Sequence, residues 1–270
     1  MNDNSLIRTT TTRTALVTGA SAGIGRELAW VFARHGFNLI LVARRQQRLE
    51  ELSVRLREEC GVESRVLVSD LADPNAPERI FGELTGADIA VDVLVNNAGY
   101  AIAKTFSESG WHEQADLIQV MTTAVAHLCH LFVPAMVERG YGRVLNVASL
   151  TVYAPPSAGS LYSATKSFVV HLSRSLSQEL ADRGVHVTAL CPGLTYSEFH
   201  DVMGTREAAS RLPSFIWMDA RTVAEQGYNA VMRGDVLYIN GWVNRLIAGL
   251  CAILPNSIIQ RSRSQLARSL

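Results

Sequence analysis

Lysine is nearly absent from this chain: of 25 basic residues only two, Lys104 and Lys166, are lysines, and the rest are arginines. Cysteine is sparse as well. The four (Cys60, Cys129, Cys191, Cys251) are scattered, with no CxxC pair and no histidine at ligand spacing. That argues against a zinc site or a disulfide framework and suits a reducing, cytoplasmic compartment. Net charge is missing altogether, 25 acids balancing 25 bases, so no bulk field recruits nucleic acid or anionic lipid. No apolar run approaches the roughly 20 residues needed to cross a bilayer. The opening segment Met1–Arg13 is polar, with a Thr9–Thr12 run, and reads as a flexible arm rather than a signal peptide or transit helix. What is present is ample apolar material. With 270 residues, 48% of them hydrophobic and 19% charged, the chain can bury a sizeable core and is too apolar to be disordered.

Short β-branched runs alternate with longer amphipathic stretches. Strands are expected at Ala15–Thr18, Leu39–Val42, Arg65–Val68, Val91–Val95, Arg143–Val147, Val185–Leu190 and Val236–Ile239. Their near-continuous Val/Leu/Ile character is that of parallel strands covered on both faces. Helical segments such as Ile24–His35, Gln46–Glu59 and Tyr162–Asp182 lie between them, with Gly36 and Gly184 placed to end helices. Repeated βα alternation predicts one α/β domain, a doubly wound parallel sheet of about seven strands over residues 14–241. From about 195 to 218 the periodicity loosens while apolar residues persist (Phe199, Val202, Met203, Leu212, Phe215, Ile216, Trp217), as in a lid over a substrate. Residues 242–270 form a C-terminal helical extension, its apolar part expected in core packing or a subunit interface rather than on a membrane.

Directly after the first expected strand comes Thr18-Gly19-Ala20-Ser21-Ala22-Gly23-Ile24-Gly25, which opens a helix. Glycines let backbone approach a pyrophosphate closely, and the helix N-terminus offers free N–H groups with a positive dipole end. A dinucleotide fold preferring NAD places an acid at the end of the second strand; here Ala43 stands there, followed by Arg44 and Arg45. A guanidinium holds a 2′-phosphate that a carboxylate would repel, so NADP(H) is favoured over NAD(H), with Arg44, nearer the strand end, as the first contact. Asp70-Leu71 after the third strand suits an adenine amino group. Asn96-Asn97-Ala98-Gly99 after the fourth lies at the edge where ligands of this architecture bind.

Tyr162 and Lys166 stand four apart on one helix face, and Ser149 ends the Arg143–Val147 strand. Carbonyl reduction by a nicotinamide hydride leaves an alkoxide that needs a proton. A phenol's pKa of about 10 is too high for efficient exchange near neutrality unless adjacent positive charge stabilises the phenolate. Lys166 supplies such a charge, and Ser149 would hold the substrate oxygen beside the tyrosine hydroxyl. The seven histidines form no triad with Ser149.

These motifs, in this order and spacing from about Arg13 to Gly241, resemble the short-chain dehydrogenase/reductase family. The resemblance implies a Rossmann-type fold, catalytic Ser149, Tyr162 and Lys166, and a cofactor path along Gly19, Ser21, Gly23, Ile24, Gly25, Arg44, Arg45, Asp70, Leu71, Asn97, Ala98 and Gly99. Tyr162, Lys166, Pro192, Gly193 and Ser197 would border the nicotinamide. It also implies a homodimer or homotetramer through helices at about Gly110–Arg139 and Tyr162–Asp182. One departure stands out: Met121 occupies the position where the family commonly has an asparagine, and a thioether lacks the amide's donors and acceptors. The resemblance implies that the relay water would be held by that residue's main-chain carbonyl, which Met retains, so a weakened or rerouted proton path is expected, with Thr122 or Thr123 as compensating groups. The leading expectation is a reversible carbonyl reductase for a small-molecule substrate with a hydrophobic body. A cofactor-binding sensor without turnover, and an epimerase or dehydratase, are the alternatives.

Overall fold

A computed structural model of the chain describes residues 12–153, 161–196, 198 and 216–253. In chain order these form β1 (Thr14–Thr18), α1 (Gly23–Arg34), β2 (Asn38–Ala43), α2 (Gln46–Cys60), β3 (Ser64–Val68), α3 (Ala76–Gly86) and β4 (Val93–Asn96). There follow α4 (Trp111–Ile118), a π turn (Gln119–Thr123), α5 (Ala124–Glu138), β5 (Gly142–Val147), a 3₁₀ turn (Leu150–Val152), α6 (Tyr162–Leu180) and β6 (Val185–Cys191). The last described elements are β7 (Thr195–Tyr196), β8 (Met218–Asp219), α7 (Ala220–Arg233), β9 (Leu237–Ile239) and α8 (Trp242–Ile253). Each of the seven expected strands is found, its ends moved by one or two residues, and Gly36 and Gly184 adopt positive φ (79° and 73°) as helix stops.

The seven strands pair entirely in parallel in the order β3-β2-β1-β4-β5-β6-β9. Alternation along each strand divides the core in two. Ala15, Val17, Leu39, Leu41, Val93 and Val95 face α1, α2 and α7, against Leu28, Phe32, Leu49, Leu56 and Val231. Leu16, Ile40, Val42, Leu94 and Val144 face the other way, against Leu84, Leu117, Leu128, Phe132 and Met136. With both faces covered, the central strands β1, β2 and β4 are buried along nearly their whole length, which is why their sequences read as near-continuous apolar runs. The strand order reverses between β1 and β4, and the carboxyl ends of those neighbouring strands open the crevice where this architecture binds ligands.

Two helices qualify the sequence reading. Trp111–Glu138 is continuous and, by length and composition, long and apolar enough to cross a membrane. Its apolar side nevertheless packs on the sheet through Leu117, Met121, Leu128, Phe132 and Met136, as a core helix does. Among the residues of α8 whose burial is described, only Asn244 and Ala248 are buried, and Trp242, Leu246, Ile247 and Leu250 are exposed. Core packing thus accounts for one face of this helix alone. The short β7–β8 pair, parallel with Thr195 opposite Met218 and Tyr196 opposite Asp219, ties together the two ends of the expected lid. Residues 197 and 199–215 of that lid, the arm 1–11 and the tail 254–270 lie outside the described residues.

Candidate active site

The β1–α1 turn is built by close approach. Gly19 has φ +68°, and a Cβ there would lie 2.7 Å from Asn97 Nδ2 and 2.9 Å from the Ala98 backbone. A Cβ on Gly25 would meet the Gly19 carbonyl oxygen at 2.3 Å, so the turn closes on its helix only without side chains. The neighbouring strand end holds it in place. Asn97 Nδ2 donates to the carbonyls of Thr18 (2.9 Å) and Gly19 (3.4 Å), and the Asn97 and Ala98 N–H groups donate to Thr18 Oγ1 (2.9 and 3.1 Å). Asn97 therefore supports the turn rather than projecting a free amide. Asn96 is buried beneath: its Nδ2 donates to Asn146 Oδ1 at 2.8 Å, and Asn146 Nδ2 donates to Ser173 Oγ at 3.0 Å. This chain of amides joins β4 and β5 to α6.

The first turn of α2 faces this cradle. Arg45 donates to Ser21 Oγ through Nε (3.1 Å) and Nη2 (3.0 Å), so Arg45, rather than the favoured Arg44, is the guanidinium that reaches the glycine turn. Arg44 is largely exposed and lies 3.6 Å from Asp70. Asp70 turns its other oxygen to the Ala72 N–H at 3.0 Å, and Leu71 is buried below it. Glu198, which the sequence did not single out, bridges Arg45 (2.9 Å) and Arg48 (2.6 Å), and these guanidinia hold its carboxyl below the ordinary range. Ala22, Gly23, Arg26, Tyr196, Glu198 and Asp219 line a cleft between α1 and the β7–β8 pair. Tyr196 stacks on Trp217 at 4.8 Å and 21°. Pro192 and Gly193 follow β6 at the same sheet edge, and Ser197 lies outside the described residues.

Ser149, Tyr162 and Lys166 do come together. Ser149 caps the 3₁₀ turn, its Oγ accepting from the Thr151 N–H at 3.2 Å, and it is hydrogen-bonded to Tyr162. The Lys166 ammonium is buried, donates to the Val147 carbonyl at 2.7 Å and lies 5.8 Å from the Tyr162 ring centroid. Tyr162 as a whole is half-buried, with its hydroxyl enclosed by protein. Burial pushes its pKa up to about 12 against the pull of Ser149, and burial draws Lys166 down to about 8. Beside them sits the buried thiol of Cys191, pushed up to about 12 by its burial and so a neutral acceptor for the Ser149 N–H. The sequence signal for Cys191 was its place before Pro192-Gly193. Gln114 had none: wholly buried on α4, it accepts the Leu161 N–H (3.4 Å) just ahead of Tyr162.

Met121 is fully buried in the π turn, and a Cβ on Gly99 would lie 3.6 Å from its Cε and 3.5 Å from Lys166 Nζ. The expected compensation from neighbouring threonines is not found: Thr122 Oγ1 is bonded to the Ile118 carbonyl at 2.6 Å, and Thr123 is exposed. No metal-binding group of three or more His, Cys, Asp or Glu occurs among the described residues.

The short chain dehydrogenase family profile matches residues 13–208. The chain is 35% identical over 201 residues to sulfoacetaldehyde reductase 2 of Chromohalobacter salexigens, covering 72% of this chain and 78% of that protein. Among solved structures it is similar to a short-chain dehydrogenase from Sphingobium yanoikuyae in complex with NADPH (32% identity, TM-score 0.79, 90% and 96% of the two chains). It is also similar to the bulky-bulky ketone specific alcohol dehydrogenase from Comamonas testosteroni (30% identity, TM-score 0.75, 91% and 96%).

Proposed function

Because this chain belongs to the short chain dehydrogenase family, we propose that it is an NADP(H)-dependent oxidoreductase that reduces a carbonyl, or oxidises the alcohol in reverse, on a substrate with a hydrophobic body. The observation that carries the reading is Lys166, a buried ammonium pinned to the Val147 carbonyl and facing the Tyr162 ring. A solvated surface pair would have no such anchor.

The residues present fit the cofactor. The glycine turn excludes a Cβ at two points, its helix N-terminus favours anions, and Arg45 with Ser21 adds a forked donor beside it. Arg44, Asp70, Leu71, Asn97, Ala98, Gly99, Pro192, Gly193 and Ser197 complete the proposed path. Bound there, the nicotinamide supplies the hydride in reduction and takes it back in oxidation. Ser149 holds the substrate oxygen next to the Tyr162 hydroxyl, and Tyr162 delivers the proton to it. A phenol held near 12 gives up its proton poorly by itself; the Lys166 charge stabilises the phenolate that is left. The aromatic stack of Tyr196 and Trp217 supports an apolar substrate body. Similarity to a dehydrogenase of bulky ketones points the same way.

Incubation with a ketone panel and either NADPH or NADH tests this. Net loss of nicotinamide absorbance is expected, faster with NADPH. Conversion without that loss would indicate epimerase or dehydratase chemistry, and binding without conversion a sensor. Tyr162→Phe is expected to slow turnover at least about 100-fold while sparing NADPH binding; a variant that retains activity would remove Tyr162 from the mechanism.

A further inference from the structure

The amino ends of the strands, opposite the candidate active site, carry a second cluster of charged and aromatic groups. Tyr141 precedes β5, and two guanidinia lie over its ring, that of Arg13 at 3.9 Å and that of Arg143 at 4.6 Å from the centroid. Arg13 precedes β1 and is exposed. Arg143 is half-buried in β5 and fixed through Nη1, which donates to the carbonyls of Gly142 (2.7 Å) and Gly184 (3.2 Å). Stacking uses the flat face of a guanidinium and leaves N–H groups on its edge to donate. Tyr141 Oη and Arg143 Nε are nevertheless buried with no hydrogen-bond partner among the described residues, an arrangement that is costly unless something accepts from them.

No carboxylate answers this charge: among the described residues neither Arg13 nor Arg143 takes part in an ion pair. Asp92, just ahead of β4, accepts the Thr14 N–H at 2.9 Å and lies 3.8 Å from Arg139. The positive field reaches the neighbouring groups. Burial, and to a smaller extent the charge of Arg13, draw Arg143 below its ordinary value. His186, opposite Arg143 on β6, is drawn toward its neutral form by burial and then by Arg143. Tyr228, nine-tenths buried on α7 and stacked on His35 at 4.0 Å, lies within electrostatic reach of Tyr141 and Arg13.

We propose that Arg13, Tyr141 and Arg143 form a binding site for a phosphate-type oxyanion at the amino edge of the sheet. Two guanidinium edges and a phenol hydroxyl present N–H and O–H donors, and a tetrahedral oxyanion supplies both the acceptors and the charge that two unpaired arginines lack. A cation would meet like charge here, and a neutral ligand would leave both guanidinia unneutralised. The site joins the entries to β1 and β5, which β4 separates in the sheet. Occupancy therefore braces the fold at the end away from Ser149, Tyr162 and Lys166. The site does not rest on the function proposed above.

Equilibrium dialysis of the full-length protein against radiolabelled inorganic phosphate, at ionic strength held constant with sodium chloride, tests this. Saturable binding is expected, weakened at least about 10-fold by Arg13→Gln and by Arg143→Gln. Tyr141→Phe, which keeps the ring and removes the hydroxyl, should weaken it about three- to five-fold. Competition by glycerol phosphate separates the sources of the group: tighter binding of the ester assigns an organic phosphate, equal or weaker binding the free ion. Arg45→Ala is expected to leave the binding in place, because Arg45 stands at the opposite edge of the sheet. Circular dichroism checks that each variant is folded. Arg13 is exposed, so Arg13→Gln carries the test if Arg143→Gln does not fold. Binding that Arg13→Gln leaves intact, or that Arg45→Ala abolishes, overturns the proposal. So does the absence of saturable binding up to about 10 mM phosphate. A protein that binds phosphate in this way yet converts no ketone would leave the site standing and remove the function proposed above.

Discussion

Burial draws Lys166 down to about 8 and pushes Tyr162 up to about 12, so at neutral pH the pair stands as ammonium and phenol, the forms that carbonyl reduction needs. Reduction is therefore expected to lose rate as pH rises through about 8, where the lysine charge disappears. Lys166→Arg replaces it with a charge that does not titrate there. A pH profile of kcat/KM should show that limb flattened, at a rate lower by roughly 100-fold because the fork is misplaced against Val147; a limb that persists assigns it to another group. Met121 offers a second test. Its thioether fills the space beside Gly99 and Lys166, and its family position implies an amide. Met121→Asn is expected to leave kcat unchanged or raised, while melting earlier because a buried amide there needs partners. A large loss of kcat would show that the thioether shapes the pocket.

At the scale of elements, the arginines after β2 divide their work. Both lie in adjacent positions of one sequence, and their strand-end placement favoured Arg44. The N-terminal turn of α2 instead rotates Arg45 onto Ser21 and sends Arg44 toward Asp70. Arg45→Ala is thus expected to weaken NADPH at least about 10-fold more than NADH, and Arg44→Ala to discriminate less; fluorescence titration of both cofactors decides it, and equal losses would remove the phosphate assignment. Glu198 competes for the same guanidinium. Glu198→Gln should tighten NADPH by about two- to five-fold, as expected for releasing an exposed ion pair. Weaker binding would mean that Glu198 straps the bound cofactor. Glu198 reaches α2 from a segment more than a hundred residues away, so no local pattern could have disclosed it.

For the molecule as a whole, the buried lysine is a stability cost. Its native pKa is depressed from 10.5 to about 8, so between those values the unfolded chain binds the extra proton and stability rises with pH; below about 8 the cost is fully present. The difference corresponds to roughly 3 kcal/mol at neutral pH. Lys166→Met should therefore be inactive yet melt several degrees higher at pH 7, with its advantage shrinking toward pH 10. Tyr162 works in the opposite sense, its contribution present below 10 and lost as pH climbs through about 12. Urea unfolding of parent and variant across this range checks the sign, and an advantage independent of pH would contradict it.

The parallel sheet, the glycine turn and the Ser149, Tyr162 and Lys166 group were legible in the residues, because strand burial on both faces, close backbone approach and helical spacing each leave a local periodicity. Gly19 and Gly25 could be read in place, and so could the apolar alternation of β1 and β4. Cys191 beside Ser149, Gln114 holding the entry to α6, the contact of Arg45 with Ser21 and the open face of α8 emerge only on folding. They depend on which side chains distant parts of the chain bring within a few ångströms, and short-range forces between such groups have no counterpart in the order of the sequence.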